Sequence, residues 1–415
     1  MSPISRTTRI AVGASVVALT MALATACGPD NSDTTNGAQT AAPTADASAS
    51  GKPGAAPIHI PTAEEIKTWK PEDWEKWAQA NVITPAVKGY WDLQKILKAK
   101  PYKPGKKPGG QPSAAPTGGP TSAAPAQPTT QAPAPAQPGG SSGTDGAGDV
   151  DPKPTPVQMK PVPHPFAKNL DVNGKIFFLD DKGQEFVCSG TVISDPANPG
   201  KSNLVWTASH CLHGGKGGKS HKNIVFAPAF NSNGLLSGGK QGDLAKAEPF
   251  GEWGATAGIV SPTWSSEADP EYGGSWSAYD FGIIRVANPD GSGKSLEETV
   301  GGSVPVWFNA PRDQVTAISS YGYPADKPFD GMELDHCEAP KPVKYTIDPA
   351  RPPMVTIGCN GTGGDSGGGW FAMKDGKQML VSDTSIGGND NTWEAGPYLD
   401  DVAAKALDYI SKKTK

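Results

Sequence analysis

The chain has 415 residues, more than one ordinary domain needs, and a formal net charge of −5. Its 42 prolines and 51 glycines are high counts, and much of the proline lies in one low-complexity stretch. No basic patch interleaved with aromatic residues occurs, so a nucleic-acid partner is not expected. No cofactor and no metal site are expected either.

Arg6 and Arg9 precede an uncharged apolar run over residues 10–24, the pattern of an export signal. It ends Leu23-Ala24-Thr25-Ala26-Cys27, which resembles a bacterial lipobox. That resemblance implies lipidation of Cys27 and a membrane anchor on the outer face of the cell. The alternative is plain cleavage at Ala-x-Ala and secretion. Cys188, Cys211, Cys337 and Cys359 remain for an oxidising exterior, enough for two disulfides in any of three pairings.

Residues 28–57 carry almost no large apolar side chain and read as a disordered tether. Residues 58–100 form a Trp-rich helical segment. Thr62 and Glu65 make a capping box for a first helix, Pro71 opens a second, and Pro85 opens a third. This segment is a pro-segment, a unit binding cell wall or a protein partner, or a spacer. Residues 101–160 are a Pro/Ala-rich linker, spanning up to roughly 190 Å if fully extended. From 161 to 415 the chain turns globular, with short apolar strands separated by Gly, Pro and Asn turns. Such spacing predicts an all-β sandwich or barrel, closed by one helix over 401–412.

Chemistry gathers at three places. Gly363-Gly364-Asp365-Ser366-Gly367-Gly368 sets a serine in a nearly side-chain-free turn. A serine needs a base, and the base needs an orienting acid. His210 follows the strand Leu204-Val205-Trp206-Thr207 and adjoins Cys211, so a rigid scaffold would present it. Asp280 stands immediately before the apolar run from Phe281, where a carboxylate would be partly buried. Asp243 and Asp269 lie in polar loops, and Asp365 is too close to Ser366 to reach around to the histidine.

Thr207-Ala208-Ser209-His210-Cys211, Tyr279-Asp280-Phe281-Gly282-Ile283 and Gly364-Asp365-Ser366-Gly367-Gly368 resemble the three catalytic blocks of trypsin/chymotrypsin-like serine peptidases, in that family's order. Asn203-Leu204-Val205-Trp206-Thr207-Ala208, Tyr321-Gly322-Tyr323-Pro324-Ala325 and Thr362-Gly363-Gly364 are similar to the secreted actinobacterial, glutamyl-endopeptidase-like members. The resemblance implies a two-barrel chymotrypsin-like fold over about 170–412. It implies His210 as general base, Asp280 as its orienter, Ser366 as nucleophile, and the N–H groups of Gly364 and Ser366 as the oxyanion hole. It pairs Cys188 with Cys211, leaving Cys337 for Cys359. Its substrate pocket would take in Asn360, Ser385 and Gly387. No Ile/Val-Val/Ile-Gly-Gly start lies near residue 165, so activation by a new N-terminus on Asp365 is not expected.

The expected activity is therefore extracellular serine endopeptidase, acting on polypeptides. The rival is an inactive relative kept as a surface-anchored binding or scaffold protein. A lipase or esterase is disfavoured, because its triad runs Ser, Asp, His along the chain.

Overall fold

A computed structural model describes residues 63–102, 149–269, 274–388 and 390–413. The signal segment, Cys27, the tether and most of the linker lie outside them. The described chain opens with helices α1 (Ala63–Thr68), α2 (Pro71–Ala80) and α3 (Leu93–Lys98), followed by the two-residue strand β1 (Lys100–Pro101). The third helix does not start at Pro85 as the sequence suggested. It starts where the Asp92 side chain accepts the Lys95 N–H, and residues 83–91 run irregularly. The linker expected over 101–160 is ordered at both ends, in β1, in β2 (Asp149–Asp151) and in β3 (Lys160–Pro161).

Six strands then close a first barrel: β4 (Asn173–Leu179), β5 (Glu185–Ile193), β6 (Leu204–Thr207), β7 (Lys222–Pro228), β8 (Trp253–Val260) and β9 (Gly282–Ala287). The order is β5-β4-β7-β8-β9-β6, and β6 returns to pair with β5. Short helices α4 (Leu244–Ala247) and α5 (Pro262–Glu267) lie in its connections, and α6 (Leu296–Val300) in the segment leading out of it.

The second half comprises β10 (Ala317–Gly322), β11 (Asp335–Pro340), β12 (Val343–Thr346), β13 (Met354–Ile357), β14 (Gly369–Lys374), β15 (Lys377–Asp383), β16 (Ile386–Gly387) and β17 (Glu394–Gly396). One sheet runs β15-β14-β10-β11-β3 and the other β16-β17-β13-β12-β2. Ile318, Ile357, Trp370 and the Cys337–Cys359 disulfide fill the space between them. Helix α7 (Asp401–Lys412), capped by Asp400, closes the chain over the bounds its apolar spacing predicts. This is the two-barrel chymotrypsin-like architecture.

The N-terminal helices are built into the first barrel. All described residues belong to one compact unit, Ile58–Lys415. Strand β4 is apolar on both faces for a reason: Ile176 and Phe178 point into the barrel core, while Phe177 faces outward against Trp91, 5.4 Å away. Ile83 packs on β8 where a side chain on Gly258 would lie 2.1 Å from its Cδ1, so the glycine makes the room. Trp74 stacks on Tyr409 of α7. Ile66, Trp74, Ile83, Trp91 and Ile96 are all buried. Burying a large apolar side chain contributes about 1.5–3 kcal/mol, so five such contacts hold this strap firmly.

Candidate active site

The site forms where three loop ends meet. His210 sits in a single 3-10 turn just after β6, Asp280 lies two residues before β9, and Ser366 lies in the turn before β14. Strands β6 and β9 are paired, Thr207 opposite Gly282, which brings histidine and acid together. The Cys188–Cys211 disulfide pins the residue after His210 to β5. From the second barrel, the Ser366 carbonyl accepts the Ser189 N–H at 2.8 Å and lies 3.6 Å from Cys211 Sγ. The serine turn is thus seated directly on the histidine turn.

His210 Nδ1 and Asp280 Oδ2 are 2.6 Å apart, and the His210 backbone N–H donates to Asp280 Oδ1 at 2.8 Å. A third donor, the Ser385 hydroxyl, reaches Asp280 Oδ2 at 2.6 Å. Asp280 is fully buried. With Nδ1 committed to the carboxylate, His210 Nε2 is left with no partner. His221 Nε2 bonds the His210 carbonyl at 3.1 Å. Burial drives the His221 and His213 pKa values down to about 3 and about 4, so neither competes as a charged group near neutrality.

In the serine turn, Gly364 has φ of +102°, a conformation that suits glycine. A side chain there would also strike the Tyr323 carbonyl and Ala325. The N–H groups of Asp365, Gly367 and Gly368 donate to Thr362, Thr384 and Asp365 carbonyls. Those of Gly364 and Ser366 meet no acceptor among the described residues. The Gly363 N–H is likewise without an acceptor among the described residues, so the turn leaves three N–H groups unused, the two expected of an oxyanion hole among them.

Asp365 is turned inward and fully buried, bonded to Thr384 and to Glu394. Burial, the Asp365 charge and the hydrogen bond between them raise the Glu394 pKa well above its ordinary value, so Glu394 carries the proton of this pair. Its place beside Asp365 has no signal in the sequence.

The residues expected to line the pocket are each engaged within the protein. Ser385 serves Asp280. Both polar ends of Asn360 are taken by residues 158 and 159, its Oδ1 by the Met159 N–H at 2.6 Å and its Nδ2 by Gln158 Oε1 at 2.9 Å. Gly387 pairs with Glu394 across β16 and β17. Cys188, His210 and Cys211 offer ligand atoms within 4.8 Å of one another, but both sulfurs are in the disulfide, which leaves no thiolate to hold a metal.

Two barrels with this site between them define a serine-protease fold. No family model and no curated protein matches the chain. Solved structures do. The thermostable serine protease AL20 from an extremophilic microorganism is 30% identical, over 60% of this chain and 100% of that one, with a TM-score of 0.48. Protease Anisep from Arthrobacter nicotinovorans is also 30% identical, over 62% of this chain and 99% of that one, with a TM-score of 0.46. A Glu endopeptidase is 17% identical over 61% of this chain and 97% of that one, at a TM-score of 0.42. On its identity to the first two across their lengths, the chain belongs to the trypsin/chymotrypsin-like serine proteases.

Proposed function

We propose that this chain is an exported serine endopeptidase that cleaves polypeptides through Ser366, His210 and Asp280. The observation that carries this reading is the His210–Asp280 pair, with Nε2 unpartnered beside the Ser366 turn. Ser366 Oγ attacks the scissile carbonyl carbon while its proton passes to His210 Nε2. Asp280 holds the ring in one tautomer and stabilises the imidazolium. The oxyanion accepts from the Gly364 and Ser366 N–H groups; losing one such donor costs on the order of 10²–10³ in rate. Nε2 returns the proton to the leaving amine, which departs and leaves an acyl-serine. Water, deprotonated by the same nitrogen, then releases the acid.

Two disulfides fit an oxidising exterior, and no helix among the described residues is long and apolar enough to cross a membrane. A lipid on Cys27 would then supply the anchor. The test is covalent labelling. Oxidised protein lacking residues 1–27 is exposed at length to a fluorophosphonate, and the adduct is mapped by mass spectrometry. We expect it on Ser366, and none in His210→Ala. An unlabelled Ser366 overturns the reading and leaves the rival, an inactive surface-anchored relative.

A further inference from the structure

The end of the N-terminal strap reaches the catalytic histidine. Strand β1 adds in parallel to β5, Lys100 opposite Phe186 and Pro101 opposite Val187. The edge it takes is a particular one. On that side of β5, β6 covers only Thr191–Ile193. Between lie Cys188, disulfide-bonded beside His210, and Ser189, whose N–H holds the Ser366 carbonyl. The open edge of β5 next to the reactive serine is therefore occupied by the chain itself. Extended peptides bind by adding a strand to such an open sheet edge.

The next residue, Tyr102, donates its N–H to the Val187 carbonyl at 3.3 Å and lays its ring parallel to the His210 imidazole, centroids 5.9 Å apart at 17°. Phe178, Phe186 and His221 hold that ring edge-on. Trp264, from α5, approaches the imidazole at a tilt, 6.2 Å away. Together they flank the imidazole, and His210 is 1% exposed. Of these neighbours Tyr102 alone comes from outside the barrel.

The strap is unevenly attached. Its helices bury Ile66, Trp74, Ile83, Trp91 and Ile96, whereas β1 is two residues long. A two-residue strand at the end of the strap, held by two register pairs and one aromatic ring, is where local opening occurs while the helices stay folded.

We infer that β1 and Tyr102 form an intramolecular plug: they close the active site by covering His210 and filling the β5 edge, and they leave while α1–α3 remain docked. This rests on the peptidase reading above. The anchored helices make the plug a reversible one, requiring no loss of the strap. A polypeptide that pairs with the β5 edge competes with β1 for it, so binding and opening are one event.

The experiment uses the chain lacking residues 1–27, as wild type, Tyr102→Ala and Tyr102→Phe. Two rates are read: fluorophosphonate labelling of Ser366, and diethylpyrocarbonate modification of His210, which needs no catalysis. Tyr102→Ala should raise both by roughly tenfold or more, and Tyr102→Phe, which keeps the ring, should match wild type. Faster modification of His210 with no label on Ser366 would keep the plug and sink the peptidase. Unchanged modification of His210, or slower labelling by a folded Tyr102→Ala, overturns the plug. Hydrogen exchange on wild type gives a variant-free check. The Tyr102 N–H should exchange well before the Ile96 N–H of α3, and simultaneous exchange overturns the inference.

Discussion

Asp280 meets His210 twice, accepting the backbone N–H on Oδ1 at 2.8 Å and facing Nδ1 with Oδ2 at 2.6 Å. The carboxylate thus fixes both the turn and the ring it carries. Asp280→Asn keeps the shape but presents an amide that donates toward Nδ1, favouring the wrong tautomer. We expect kcat to fall about 10⁴-fold, with near-native melting. Peptide hydrolysis followed beside circular dichroism checks this. A loss under tenfold would mean that Asp280 does not orient the base.

Ser385 supplies the third donor to Asp280, at 2.6 Å and inside the protein. A hydrogen bond to a charged group contributes about 1.5–3 kcal/mol, so Ser385→Ala leaves the acid under-satisfied and less firmly placed. The expected result is a kcat reduced roughly tenfold with KM little changed, since the effect passes through the triad. A raised KM at constant kcat would mean that Ser385 acts on substrate binding and not through Asp280.

Lys175 lies 1% exposed on β4, its ammonium over the Phe177 and Phe230 rings and bonded to the Gly331 carbonyl. Burial lowers its pKa from 10.5 to about 7, against a smaller opposing pull from Asp330. A depressed folded pKa contributes stability that is present above the unfolded value and lost as pH falls toward the folded one. Wild type should therefore gain on Lys175→Met as pH rises from about 7 to 10.5, and lose ground on the way down. Denaturant midpoints at several pH values read the difference, and parallel curves would refute it.

The first-barrel strands, β10, β13, β14, β15 and α7 were legible because each is a short apolar run or an amphipathic stretch bounded by turn residues; β11, β12, β16 and β17, short and partly polar, were not. The three residues proposed as the triad stood out because each sits in a local motif: His210 beside Cys211, Asp280 before Phe281, Ser366 among glycines. What the sequence hid is contact between distant residues. Nothing near Glu394 signals that it shares a proton with Asp365. Ser385 gave no sign of its bond to Asp280, which spans 105 residues. Nor did Asn360 show that Met159 and Gln158, from a stretch that reads as linker, hold its amide. Tyr102 was hidden for the same reason. Two strand residues at the edge of a proline-rich stretch have no periodicity to read, and their place is set by the free edge of β5.

Glu394 and Asp365 together offer the last test. Asp365 is fully buried and Glu394 is 1% exposed, so their environment cannot hold two negative charges. Glu394 keeps a proton and gives it to Asp365 in a hydrogen bond. Glu394→Gln supplies an N–H in the same place without titrating. A carboxyl whose folded pKa is raised contributes stability that is complete below its unfolded value, near 4.5 here, and is lost as pH rises through the folded one. Wild type should thus match or exceed Glu394→Gln near pH 4.5 and fall behind it as pH rises, by about 1.4 kcal/mol per pH unit while the proton is retained. Asp335 and Glu248, raised by burial to about 8, titrate in both proteins and cancel in the difference. Guanidinium unfolding across this range measures the gap, with labelling of Ser366 as a check that the turn survives. A gap that does not widen with pH would show that the pair does not share a proton. In that case the serine turn would rest on some other contact of Asp365.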